Sequence, residues 1–225
     1  MPRWELIDRT PIPSSKDSLS LYQNKDDFLI KLTDTGTELM HTRQHGSEDA
    51  LGRLPCETLK NTAEAKVLIG GLGMGFTLAS ALQNVGPAAE VTVVELLPKV
   101  VEWNTGPLGE RSGHPLRDDR THVHVGDVTK HLREKTSYYD AIALDIDNGP
   151  EGLTIATNDW LYSSAGIGRT REALRPGGVV AYWSSDPDRS FAKRLVQHRY
   201  HVSEETVFAH GTKGARHTIW LAQVV

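Results

Sequence analysis

From residue 66 onward, short apolar runs alternate with stretches of helical composition, and this alternation restricts the chain more than any other feature. KVLIG (66–70), VTVVE (91–95), THVHV (121–125), AIALD (141–145) and VVAYW (179–183) have the length and β-branched content of buried strands. Between them lie TLASALQNV, LPKVVEWN, VTKHLRE and IGRTREALR, each with the composition of a helix. Strands alternating with helices at this spacing build a parallel sheet covered on both faces. Right-handed crossovers then make the layout doubly wound. HVSEETVFA (201–209) and RHTIWLAQVV (216–225) have no helix between them and predict a C-terminal antiparallel hairpin.

The first 45 residues read differently. WELID (4–8), DFLIKL (27–32) and TELMHT (37–42), separated by SSKDS and DTGT, predict a β-hairpin or small meander. SEDALGRLPCETLK (47–60) predicts a short helix, with Ser47 as N-cap and Glu48 and Asp49 in its first turn. The expected class is α/β: an N-terminal β-hairpin segment, 1–45, then a Rossmann-like domain, 46–225. A net charge of -4 leaves no cationic surplus for nucleic acid. No run of ~18 apolar residues predicts a membrane span, and MPRWELIDRTP lacks the apolar stretch of a secretory signal. The single cysteine, Cys56, fits a reducing, cytoplasmic setting and reads as a packing residue. No Cys/His spacing supports zinc, so no metal is expected.

VLIGGLGMGF (67–76) follows the first buried strand and opens the TLASALQNV helix. In such sheets ligands bind at the carboxyl ends of the strands. Glycines let the backbone approach a ligand closely, and the helix N-terminus supplies free N–H groups. Glu95 ends the second strand, where a carboxylate can accept hydrogen bonds from a ribose diol. Together they point to an adenosine-type ligand. NAD is disfavoured because Phe76 stands where G-x-G-x-x-G requires its third glycine.

In this order the motifs resemble the class I S-adenosylmethionine-dependent transferases, and among them the spermidine synthase-like proteins. The likeness is carried by the N-terminal β segment, GGLGMG, VVELLPKVV, HVGDVTKHL, YDAIALDIDNGP and LRPGGVVAYWSS. It implies that Gly71, Gly73 and Gly75 line the methionine and ribose side of S-adenosyl-L-methionine. It implies that Glu95, with Leu96 beside it, holds the ribose hydroxyls, and that Asp127, with Val128, contacts adenine. Asp127 also suits the N-cap of VTKHLRE. Asp145 matches an acid that lies by the cofactor and deprotonates or orients an attacking amine. A homodimer is the assembly the resemblance implies.

Two departures direct the expected reaction. Aminopropyltransferases carry a GGGDGG-type loop whose Asp is thought to hold the donor's terminal amine, whereas Leu72 and Met74 stand between the glycines here. They also carry a Tyr-His-Glu-type segment that grips the polyamine, whereas SEDALGRL places Leu51, Gly52 and Arg53 near that position. Decarboxylated S-adenosylmethionine bears a cationic propylamine that calls for a carboxylate; the intact molecule carries its own. The expected function is therefore methyl transfer from S-adenosyl-L-methionine to a small-molecule amine or oxygen acceptor. Alternatives are an aminopropyltransferase, a noncatalytic adenosine-ligand-binding protein and, more distantly, an NAD oxidoreductase.

The expected catalytic residues are Asp145, Asp147 and Asn148 in ALDIDNGPEGLT (143–154). Two nearby carboxylates raise one another's pKa or attract a cationic amine. Asn148-Gly149-Pro150 partly resembles the Asn-Pro-Pro loop of amine-directed methyltransferases, and Asp147 and Asn148 also suit a simple turn. Trp183 ends the fifth strand and is the best placed of Trp103, Trp160, Tyr162 and Trp183 to wall a pocket. Of the histidines, His45 is the one that faces the region over the site.

Overall fold

The first strands form an antiparallel meander: β1 (Glu5–Pro11), β2 (Ser18–Asn24), β3 (Asp27–Leu32) and β4 (Glu38–His41). The structure, a computed structural model, describes residues 3–13, 15–146, 159–185, 187–210 and 213–225. Three of the four strands match expected runs; β2, SLSLYQN, extends the expected hairpin into a four-stranded sheet. Helix α1 (Gly46–Arg53) follows and gives way at Pro55 to a single 3-10 turn, so the predicted helix is shorter than 47–60. Its N-cap position is His45, not Ser47, whose hydroxyl instead donates to Glu48 Oε2 at 2.6 Å.

The remaining chain alternates as expected: β5 (Lys66–Gly70), α2 (Phe76–Gln83), β6 (Glu90–Glu95), α3 (Pro98–Thr105), α4 (Pro107–Arg111), β7 (Thr121–Val125), α5 (Val128–Arg133) and β8 (Tyr139–Leu144). After these come α6 (Asp159–Tyr162), α7 (Ser164–Ala173), β9 (Leu174–Ser184), α8 (Arg189–Gln197), β10 (Tyr200–His210) and β11 (Lys213–Val224). Among the described residues they form a seven-stranded sheet of order β10-β11-β9-β8-β5-β6-β7. Neighbours from β9 to β7 run parallel, while β11 pairs antiparallel with β9 and with β10. The doubly wound sheet with its C-terminal hairpin is the expected fold.

The continuous apolar runs of the inner strands are explained by burial on both faces, whereas the edge strand β7, expected to be buried, leaves Val123 and Val125 exposed. Val67, Ile69, Val91, Val93, Ala141 and Ala143 pack into one core cluster, and Leu68, Val94, Ile142 and Leu144 into the other. Each large aliphatic side chain so buried contributes roughly 1.5–3 kcal/mol, so both sides of these strands resist polar substitution. Leu21, Phe28 and Ile30 of the meander join the first cluster, fixing that sheet over the carboxyl ends of the strands. Cys56 is buried in the same cluster, and burial pushes its thiol up to about 12, which suits packing. Among the described residues no helix is long and apolar enough to cross a membrane.

Strand order reverses between β5 and β8, so the loops leaving β5, β6, β7 and β8 converge at one edge. Helix α1 is pressed against α2 beside this edge. A Cβ on Gly52 would lie 2.2 Å from the Thr77 carbonyl oxygen, so glycine permits the close crossing.

Candidate active site

At the switch point, Gly71 adopts φ +90°, and a Cβ there would meet the Asp145 carbonyl oxygen at 2.1 Å. A glycine is therefore needed both for the turn and for the approach of the β8 loop. Gly71, Gly73, Glu95, Leu96, Asp127 and Val128 line one cavity, together with Asp145. Gly75 does not line it. It occupies the N-cap position of α2, and a Cβ there would face Ser112 Oγ and Asn104 Oδ1.

Glu95 is buried rather than an exposed strand end. Its Oε2 accepts from Leu72 N at 2.8 Å and its Oε1 from Leu97 N at 2.8 Å. Burial pushes its pKa up, and these backbone N–H groups oppose the shift. The carboxylate thus clasps the glycine loop to the β6–α3 turn while facing the cavity. Asp127 caps α5, accepting from Thr129 N at 2.8 Å, and borders the same cavity. Glu95→Ala should weaken any adenosine ligand by roughly 1–3 kcal/mol and also lower the melting temperature, because two buried N–H groups lose their acceptor. Titration calorimetry and thermal unfolding check this; unchanged affinity removes Glu95 from the ligand site.

Asp145 also borders a second cavity, with Glu48, Met74, Phe76 and Trp183, under Leu39 and Met40 of β4. Thr77 Oγ1 donates to Asp145 Oδ2 at 2.7 Å, and Asp145 N donates to Gly70 O at 2.7 Å. Burial, reinforced by the charges of Glu48 and Glu95, raises the Asp145 carboxyl to about 7, with Thr77 opposing. Burial likewise pushes Glu48 up. Beyond this cavity a vestibule runs outward past Glu38, His41, Gln44 and Ser47. Asp147 and Asn148 lie outside the described residues.

His45 stacks on Phe76, centroids 3.9 Å apart at 6°, and its Nδ1 meets Asp49 Oδ2 at 2.8 Å, which holds its pKa up. It supports the wall from behind. Trp183 is the one expected aromatic that borders the cavities. Trp103 instead donates to Asp8 Oδ2, Trp160 lies under Arg133, and Tyr162 belongs to the second core cluster.

Two acidic groups, then, face a cavity that adjoins a glycine-lined one on a doubly wound sheet, and the fold is that of the class I S-adenosylmethionine-dependent transferases. The spermine/spermidine synthase domain profile matches residues 44–209, and the chain belongs to that family. It is 26% identical over 126 residues to a polyamine aminopropyltransferase of Prochlorococcus marinus (strain MIT 9301), covering 56% of this chain and 42% of the relative. It is 29% identical over 132 residues to polyamine aminopropyltransferase 2 of Hyperthermus butylicus, covering 59% and 42%. Those matches therefore span less than half of each relative's length. The spermidine synthase of Thermotoga maritima superposes with a TM-score of 0.74 at 18% identity, covering 97% of this chain and 72% of that one. A spermidine synthase bound to the transition-state analogue AdoDATO superposes equally well, with a TM-score of 0.74 at 18% identity and the same 97% and 72% coverage.

These relatives overturn the expected methyl transfer, since they are named aminopropyltransferases. Both departures that suggested it lose their force in three dimensions. Leu72 is buried in the core and lines neither cavity, so its place in the loop says nothing about the ligand. Met74 does border the second cavity, but so does a carboxylate that arrives from another element, Glu48 of α1. Leu51 is core, Gly52 is the helix crossing, and exposed Arg53 pairs with Glu57, so no cation from this segment faces the cavity. Glu48 escaped notice because an acid in a helix's first turn already has a sufficient reason to be there.

Proposed function

We propose that this chain transfers an aminopropyl group from decarboxylated S-adenosylmethionine to an amine acceptor. The observation that carries the reading is the pair of carboxylates, Glu48 and Asp145, facing one cavity beside the glycine loop. A donor with both a sulfonium and a propylammonium brings two positive charges, and buried charges persist only when paired. Gly71, Gly73, Glu95 and Asp127 suit the adenosyl part: a backbone without side chains beside a ribose, and two carboxylates at strand ends. The names of the relatives support the same reaction.

In this reading the acceptor nitrogen forms a bond to the propyl carbon next to sulfur. The carbon–sulfur bond breaks with its electrons going to sulfur, leaving methylthioadenosine as a neutral thioether. The proton shed by nitrogen goes to Asp145, whose raised pKa near 7 suits a proton acceptor at neutral pH. Glu48 pairs with the cationic propylamine, and in-line placement supplies much of the rest. Calorimetry with S-adenosylmethionine, its decarboxylated form, methylthioadenosine and NAD tests this. The decarboxylated donor should bind tightest and methylthioadenosine should be released with an amine; preference for the intact donor overturns the proposal.

A further inference from the structure

We infer that Thr77 is a positioning residue for Asp145: its hydroxyl orients the carboxylate and favours the ionised form that accepts the amine's proton. This rests on the aminopropyl reading and concerns how that same site is built. The Asp145 main chain is already pinned to β5. Asp145 N donates to Gly70 O at 2.7 Å, and a Cβ on Gly71 would strike the Asp145 carbonyl oxygen. Thr77 Oγ1 adds a restraint on the side chain, donating to Asp145 Oδ2 at 2.7 Å. With the backbone and one carboxylate oxygen both held, the group has little rotational freedom left to lose on reaching the transition state.

The local structure suits Thr77 to this task. It is the second residue of α2, so no preceding helical turn offers its hydroxyl a carbonyl. Its β-branched side chain has few χ1 choices, and it is buried, so bulk water competes little for the hydroxyl. Its own carbonyl oxygen lies where α1 crosses at Gly52, and Ser80 Oγ, one turn on, donates to Asp49 O at 2.6 Å. Helix α2 therefore ties the Asp145 carboxylate to α1, which carries Glu48. Among the described residues, Glu48 of α1 and Glu95 of β6 are the charges that disfavour ionised Asp145, and the Thr77 hydroxyl opposes them. Asp127, at the start of α5, borders the first cavity with it. A donated hydrogen bond is stronger to a carboxylate than to a neutral carboxyl, so Thr77 acts on the form that takes the proton.

The test uses the full chain and decarboxylated S-adenosylmethionine, with methylthioadenosine release measured across pH for 1,4-diaminobutane and spermidine. Thr77→Val keeps the shape of the side chain and removes the hydroxyl. It should lower kcat at neutral pH at least about tenfold and move the acid limb of the pH–rate profile up by about one pH unit. Donor affinity should change less than about threefold, because the effect falls on the proton acceptor. Thr77→Ser, which keeps the hydroxyl, should restore both the rate and the limb. Added to Asp145→Asn, Thr77→Val should cost little more, since the residue acts through Asp145. A second readout needs no turnover: the melting-temperature deficit of Thr77→Val should be larger at about pH 8.5, where Asp145 is ionised, than at about pH 4. Thr77→Ala serves the same comparisons should the valine variant not fold. An unmoved limb with an equal deficit at both pH values overturns the positioning role and leaves aminopropyl transfer standing. No release by the native chain with either amine overturns aminopropyl transfer itself and the catalytic role of Thr77 with it.

Discussion

Asp145→Asn is expected to lower turnover by roughly 10²–10⁴-fold, the usual range for losing a positioned proton acceptor. Donor affinity should change far less, because the adenosyl cavity keeps Glu95, Asp127 and the glycine loop. Thr77 keeps an acceptor in the amide oxygen, so the β8 loop retains its anchor. The native rate should rise with pH through about 7, where Asp145 ionises, and that limb should vanish in the variant. Equal losses in affinity and turnover would make Asp145 a binding residue only.

The same substitution has a stability consequence of opposite sign. The Asp145 carboxyl has its pKa raised from 3.8 to about 7 in the folded chain. Stability linked to it is fully present below the unfolded value and is lost as pH rises through about 7. Replacing Asp145 removes that loss, so the variant should be more stable than the native chain at about pH 8.5. Solvent in the cavity screens the charge, so the gain is of order 1–2 kcal/mol, or about 2–8 °C in Tm for a chain of this size. At about pH 4 the two melting temperatures should converge. An activity loss with a stability gain is the pattern of a functional group held at a cost to the fold.

Glu48→Gln is the second large effect. Losing a charge-assisted contact to an ammonium costs about 1.5–3 kcal/mol, so apparent affinity for the decarboxylated donor should fall roughly 10- to 150-fold. Because Glu48's charge helps to raise Asp145, the acid limb of the pH–rate profile should move to lower pH. Methylthioadenosine, which lacks the propylamine, should bind as before. An unchanged pH profile together with unchanged donor affinity would remove Glu48 from the site.

Legibility differed sharply between fold and site. Strands β5 and β7 coincide in extent with their predicted runs, but β7, at the edge of the sheet, is exposed and not the buried strand expected. Strands buried on both faces are written as continuous apolar stretches, and little else in a sequence looks like that. β2 was lost because its half-buried SLSLYQN mixes polar and apolar residues and follows a serine-rich turn. The glycine loop and the acids at strand ends announce themselves by position after a strand. Glu48 and the β4 wall carry no such mark, because they reach the cavity through packing between distant elements. The one local hint was Gly52, a glycine inside a helix, which signals a close crossing. Loop order likewise could not reveal that Leu72 turns into the core while Met74 borders the cavity.

The loops behind the four strands are laced to one another across the switch point. Asp145 N bonds to Gly70 O, Gly71 N to Val94 O, Gly126 N to Glu95 O, and Leu72 N to the Glu95 carboxylate. None of these bonded residues can lift without breaking a bond to a neighbouring loop, so this floor of the cavity is held as one cooperative unit with the sheet. Its amides belong with the slowest-exchanging part of the molecule. On the β4 side Leu39, Met40 and His41 are only partly buried, so among the described residues that wall is the more yielding one. For the proposed reaction, rigidity below and yielding above would divide between two sheets the separate tasks of holding reacting atoms still and letting them in.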